Sequence, residues 1–202
     1  VGLLGGAISA RAQDIPTRTI TLVVGFAAGG AAGGAARLNA RKLGENLGTT
    51  VVVDNKPGAG GNIAHQAVAR GEPDGSTILL GSIGPLSIAQ HLQKLGYDPQ
   101  KDLAPLTMGV MFPNVLVVPA SLGVKTVGEF AALAKKQPGK LNYASTGNGS
   151  ASHLAGELFA QMAGVDMVHI PYKGGAPALT DLLAGRVDAY FSTLSTAQAH
   201  ID

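Results

Sequence analysis

Leu141-Asn-Tyr-Ala-Ser-Thr-Gly-Asn-Gly-Ser-Ala-Ser-His-Leu154 carries the most direct reading of the fold. An apolar run ends at Ala144. Small and hydroxyl residues follow from Ser145 to Ser150. Helical spacing then begins, with Ala151, Leu154, Ala155, Leu158, Phe159 and Met162 expected on one face. The order is strand, glycine-rich loop, helix. Such a loop presents backbone N–H groups at a helix N-terminus, where the dipole also favours negative charge. No carboxylate lies between Leu141 and Gly156. The stretch predicts an anion site built from main chain and hydroxyls.

The same alternation extends in both directions. Ile20–Val24 reads as a strand, with Ala32, Ala36, Ala40, Leu43 and Leu47 as the face of a following helix that Gly48 stops. Val51–Val53 is the second strand, Asn62 is placed to cap a helix to about Arg70, and Thr77–Leu80 is the third strand. Gly81 to Pro85 opens another short helix. Thr126-Val-Gly-Glu129 matches a capping box ahead of a helix to about Gln137. Beyond Leu141 come strands at 141–144, 167–170 and 187–191, with helices at 150–163 and 176–184. The pattern predicts an α/β protein with parallel-rich sheets flanked by helices. Between the two blocks, Leu103 to Val118 is extended, with Pro105 and Pro113 in it. Two domains are expected, 13–104 and 105–202, joined by a crossover strand near 103–112. Every loop at the carboxyl end of a strand is rich in Gly, Ser or Pro, and in open α/β sheets that edge takes the ligand. If both edges face each other, the ligand lies between the domains.

Composition narrows the function. Charged residues are 14% of the chain, aromatic residues are 4%, Trp is absent and the net charge is +2, which argues against a nucleic-acid surface. No cysteine is present, so disulfides and thiolate metal sites are excluded. Val1 to Ala10 is apolar and small, and Ala10-Arg11-Ala12 fits a cleavage site, so residues 1–12 are expected to be the remnant of a signal peptide. No other stretch reaches the ~18 apolar residues of a membrane span.

The glycine pattern at 147–152 is a poor dinucleotide fingerprint, because Ser152 stands where the third glycine would be. No Walker motif and no G-x-S-x-G elbow occurs. His153 and Glu157, four apart on a helix, are expected to be a structural pair rather than half a metal site. His65, His91, His169 and His200 stand singly. No metal and no cofactor is expected.

Five blocks resemble one known family. They are Pro16-Thr-Arg-Thr-Ile-Thr-Leu-Val-Val-Gly-Phe26, Val51-Val-Val-Asp-Asn-Lys-Pro-Gly-Ala-Gly-Gly-Asn-Ile63, the stretch quoted at the outset, Ser152-His-Leu-Ala-Gly-Glu-Leu158 and His169-Ile-Pro-Tyr-Lys-Gly-Gly-Ala-Pro177 with its continuation to Gly185. The family is the Bug family, the extracytoplasmic solute receptors of tripartite tricarboxylate transporters. The resemblance implies a two-domain, flytrap-like periplasmic binding fold, a monomer, and capture of a small carboxylate (di- or tricarboxylate, acidic amino acid or aromatic acid). It implies membrane transporter subunits as partners and no enzymatic activity.

Carried over by position, Phe26, Gly29 and Gly30, with Ser82 and Gly84, form the first wall. Ser145, Thr146, Gly147, Asn148, Gly149, Ser150 and His153 form the carboxylate clamp. Tyr172, Lys173 and Ser192 are neighbours in the cleft. Two stretches depart from the family pattern. Ala27, Ala28 and Gly33 stand where two prolines and an acid are usual, and Ser192-Thr193 stand where Asp-Asn is usual. Asp202 falls short of where family members continue, so a C-terminally truncated chain is expected.

Two alternatives share this cleft logic. One is a doubly wound α/β enzyme acting on a carboxylate or phosphorylated substrate. The other is the effector-sensing domain of a transcription regulator. Residues 25–33, 81–87 and 144–152 contain no Asp, Glu, Lys, Arg, Cys or His. Acid–base and covalent catalysis need such groups, whereas binding through dipoles does not. The leader pattern and the lack of a DNA-binding segment disfavour the regulator.

Overall fold

Two separate sheets organise the chain. The computed structural model describes residues 18–201; the leader expected over residues 1–12 lies outside them. In the first sheet, β1 (Ile20–Val24) is central, with β2 (Val51–Asn55) and β3 (Thr77–Leu80) on its flanks, all parallel. A central parallel strand is covered on both faces, and β1 is accordingly apolar apart from Thr21. Leu22 and Val24 pack on Ala36 and Ala40 of α1 (Ala31–Leu47). Small alanines let that helix lie close to the strand. The structure also holds α2 (Asn62–Ala69), a π-helical turn over Gly84–Ile88 and α3 (Ala89–Leu92).

The second sheet has the order β4-β7-β5-β6, comprising β4 (Asn114–Val117), β5 (Asn142–Ser145), β6 (Val168–Pro171) and β7 (Ala189–Thr193). β5, β6 and β7 are parallel and β4 is antiparallel. Alternation sorts the two faces. Tyr143 and Phe191 join Phe130 and Ala134 of α4 (Val127–Lys136) and the inner side of α5 (Ala151–Ala163). Ala144 and Tyr190 join Ala178, Leu179 and Leu182 of α6 (Gly175–Leu183) on the other face. A short α7 (Leu194–Ala197) follows β7. The capping box is formed: Glu129 N–H donates to Thr126 Oγ1, and the Glu129 carboxylate accepts from Thr126 N–H.

Three expectations are corrected. Residues 103–113 form no ladder among the described residues, so the crossover strand near 103–112 is absent, and the second sheet begins at Asn114. Pro105 and Pro113 cannot donate to a ladder, and Leu106 and Met111 stand 81% and 79% exposed. Asn62 is not the cap of α2; Gly61 is, at φ 101°, and Asn62 Nδ2 donates back to the Ala59 carbonyl. The face of α5 is also rotated from the expected one. Ser152 and Gly156 are its buried residues, whereas Leu158 and Met162 face solvent. The helix packs through Gly156 because a Cβ there would run into the Tyr143 ring.

Candidate functional site

Parallel pairing puts the loops after β1, β2 and β3 on one edge of the first sheet, and those after β5, β6 and β7 on one edge of the second. These two edges meet. Ala27 N–H donates to the Lys173 carbonyl at 2.9 Å, and Ala31 N–H donates to Thr196 Oγ1 at 3.1 Å. Elsewhere the seam is glycine against backbone or an alanine methyl group. A Cβ on Gly84 would stand 2.5 Å from the Gly149 carbonyl oxygen, and one on Gly60 would collide with that of Asn148. A Cβ on Gly30 would lie 3.5 Å from Gly175 N, and one on Gly29 3.1 Å from the Ala176 Cβ. The expected convergence of loops 25–30, 81–85 and 145–150 is therefore present.

The electrostatics of this seam follow from helix starts. Four helices, α1, α2, α5 and α6, begin at it without an acidic residue in the first turn. Each adds partial positive charge there. By contrast, α4 follows the antiparallel β4, begins at the other edge and carries Glu129 in its first turn.

Within loop 145–150, side chains behind the loop take up part of the donor set. Thr146 N–H donates to Ser152 Oγ at 2.8 Å, Gly147 N–H to Ser145 Oγ at 3.0 Å and Gly149 N–H to His153 Nδ1 at 3.1 Å. The Ser150 hydroxyl caps α5 by accepting from His153 N–H, and it is buried. The N–H groups of Asn148, Ala151 and Ser152 have no acceptor among the described residues. Gly147 and Gly149 sit at φ 124° and 73°, which L side chains rarely adopt.

Three histidines hold these loops, and sequence reasoning left all but His153 outside the site. His65 is fully buried. Its Nε2 accepts from Ser82 N–H, so Nδ1 carries the proton and donates to the Gly61 carbonyl. That neutral ring ties the second loop to the third, and burial pushes its pKa down. His169 Nε2 lies 2.6 Å from Ser145 Oγ. Its ring stacks between His153, at 4.0 Å, and Tyr143, at 5.0 Å. Burial and the neighbouring His153 lower its pKa to about 4. Nothing local marks these residues in the sequence; a lone histidine gains its partners only in the fold.

The expected first-wall residues are at the seam. The Phe26 carbonyl accepts from Asn55 Nδ2 at 2.8 Å, and its ring lies beside Gly61 with Ser82 and Pro85. Ser82 Oγ is buried and has no partner among the described residues. Other expected side chains are engaged elsewhere. Tyr172 OH donates to Asp181 Oδ2 at 2.7 Å, and burial, helped by this bond, pushes its pKa up to about 12. Lys173 meets the first sheet's loop through its carbonyl while the residue is exposed. Ser192 is buried in β7 and donates to the Thr193 carbonyl. Thr196, not anticipated, supplies the acceptor for the first N–H of α1. His153 Nε2 and Glu157 Oε1 stand 3.8 Å apart, beyond hydrogen-bond range, so the expected hydrogen-bonded pair is not formed; the carboxylate accepts instead from Tyr143 OH. Among the described residues no group of three His, Cys, Asp or Glu side chains is arranged to hold a metal ion, and no helix is long and apolar enough to cross a membrane.

Two parallel-rich α/β units with their carboxyl edges facing across one seam give the fold of the solved periplasmic binding proteins to which this chain is similar, BugD among them. The model of the tripartite tricarboxylate transporter family receptor, TctC, matches residues 35–202, and the chain belongs to that family. It is 40% identical over 196 residues to a UPF0065 protein from Pseudomonas sp. strain P51, covering 96% of this chain and 58% of the relative. It is 37% identical over 203 residues to the Bordetella pertussis protein BugT, covering 100% of this chain and 62% of the relative. Among solved structures it is similar to MatC from Rhodopseudomonas palustris with bound malate, with a TM-score of 0.85, 35% identity and coverage of 90% of this chain and 62% of that one. A second R. palustris protein, solved with adipate, has a TM-score of 0.85, 38% identity and coverage of 92% and 62%. The chain thus spans about three fifths of the length of the relatives it matches. Its family is one of receptors rather than enzymes.

Proposed function

We propose that this chain is the ligand-capturing part of a periplasmic receptor that takes up a small carboxylate and hands it to the membrane subunits of a tripartite transporter. The two lobes are residues 13–104 and 105–202, with residues 1–12 as the leader remnant, and the receptor acts as a monomer. The observation that carries this reading is the convergence of four acid-free helix starts on a seam where residues 25–33, 81–87 and 144–152 contain no Asp, Glu, Lys, Arg, Cys or His. A carboxylate bound there accepts from the N–H groups of Asn148, Ala151 and Ser152. Ser82 Oγ and the Phe26 ring face it from the other lobe. Charged hydrogen bonds of this type contribute about 1.5–3 kcal/mol each. Relatives solved with adipate and malate point to the same ligand class.

Isothermal titration of the full-length protein with malate, adipate, citrate, glutamate and benzoate tests the reading. One-to-one binding of at least one acid, recovered chemically unchanged, is expected. No binding to any of them, or reproducible conversion that tracks with the protein, overturns it.

A further inference from the structure

We propose that His153 is a positioning residue: a neutral acceptor that holds Gly149 in its left-handed turn and thereby aims the N–H groups at the start of α5 toward the ligand. The inference rests on the carboxylate reading above, and it assigns His153 a role exerted through the loop rather than on the ligand.

The geometry leaves one assignment for the ring. Gly149 N–H is a donor, so His153 Nδ1, 3.1 Å away, must accept. A neutral imidazole then carries its proton on Nε2, which faces Glu157 Oε1 at 3.8 Å. The carboxylate favours that tautomer, and it is itself fixed by Tyr143 OH at 2.5 Å. The face of the ring is held as well. His169 stacks on it at 4.0 Å with the planes 26° apart, and is tethered by Ser145 Oγ at 2.6 Å. The titratable groups facing His153 are therefore Glu157 from its own helix and His169 from β6, with Tyr143 of β5 behind both, stacked on His169 and bonded to Glu157. The side chain is only 21% exposed.

Gly149 is the pivot of the loop. At φ 73° it turns the chain between Asn148 and the first turn of α5. The N–H groups on either side of that pivot, of Asn148 and of Ala151 and Ser152, are the ones without acceptors. Holding the pivot lowers the entropy lost when those donors close on an anion, which is the usual benefit of preorganisation.

The test compares His153→Asn with His153→Leu in the full-length protein, titrated with malate and adipate. Asparagine places a carbonyl oxygen near the position of Nδ1 and can still accept from Gly149 N–H; leucine cannot. For whichever acid the parent binds, His153→Leu is expected to weaken binding at least about tenfold, while His153→Asn stays within about threefold. In the unliganded parent at pH 7, two-bond proton–nitrogen spectra should show the Nε2–H tautomer of His153. Equal affinities for parent and both variants, or an Nδ1–H tautomer, overturns the proposal. If the parent binds no carboxylate at all, the reading of function fails, and the tautomer still decides the role of His153. If His153→Leu does not fold, the tautomer and the His153→Asn affinity decide it.

Discussion

Gly84 and Gly149 face each other from different sheets, so closely that a Cβ on Gly84 would stand 2.5 Å from the Gly149 carbonyl oxygen and 3.4 Å from the Ser150 Cα. Neither neighbour is a side chain that can swing away. The seam between the two units thus closes backbone on backbone, and a single methyl group is enough to wedge it.

Gly84→Ala should therefore leave each unit folded and hold the seam open. The expected result is ligand affinity reduced by at least about tenfold, equivalent to ~1.4 kcal/mol. X-ray scattering should show a larger radius of gyration with ligand present. Gly34→Ala is the control, since its Cβ would meet nothing within 4 Å. Parent-like affinity in Gly84→Ala would refute the closed seam as the binding state.

Gly149→Val should weaken carboxylate binding at least tenfold, about 1.4 kcal/mol, because a β-branched residue is strained at φ 73°. Ser150→Ala should act differently. Its hydroxyl caps α5 and is buried, so the change should cost about 1 kcal/mol of stability, typical of a lost cap. Its effect on affinity should be smaller than that of Gly149→Val. Calorimetry paired with urea unfolding separates the two outcomes; the reverse order would place the clamp elsewhere.

Acid should destabilise the fold through its histidines. His169 has a pKa of about 4 in the fold, against the ordinary 6.5, because burial and His153 disfavour its charge. The unfolded chain therefore binds the extra proton first. The stability tied to its neutral form is complete above about pH 6.5, falls as the pH drops toward 4, and levels off below that. Buried His65, also shifted down, adds to the same slope. Urea midpoints measured between pH 8 and 4 should show this decline, and His169→Gln should flatten part of it. A flat parent profile would contradict the buried neutral rings.

Gly156→Ala should be destabilising although alanine is the better helix former. The new methyl group would meet the Tyr143 ring, whose hydroxyl is held by Glu157. Overpacking of this kind typically costs about 1–3 kcal/mol. A melting temperature equal to or above that of the parent would show that the ring can yield.

How far the residues could be read depended on the range of the interaction. Strands, turns and helix ends are set by neighbours a few positions away. The capping box at Thr126 and Glu129, the stop at Gly48 and the strand–loop–helix at 141–154 were legible for that reason. The acid-free helix starts were legible too, since the absence of a charge is itself local. The buried face of α5 was not. Periodicity weights Leu158 and Met162, but the close approach to Tyr143 is made by Gly156, which has no side chain to announce it.

By itself, then, the sequence determined the alternation of strand and helix, the carboxyl-edge loops and their bias toward an anion. Only the tertiary structure decided which loops meet, which N–H groups remain free and which histidines stand behind them. The physical reason is that Gly84 and Gly149, or His153 and His169, belong to different elements brought together by the packing of whole sheets. A glycine contact leaves no chemical signature in the chain, and a histidine's tautomer is set by whichever donor the fold places against it.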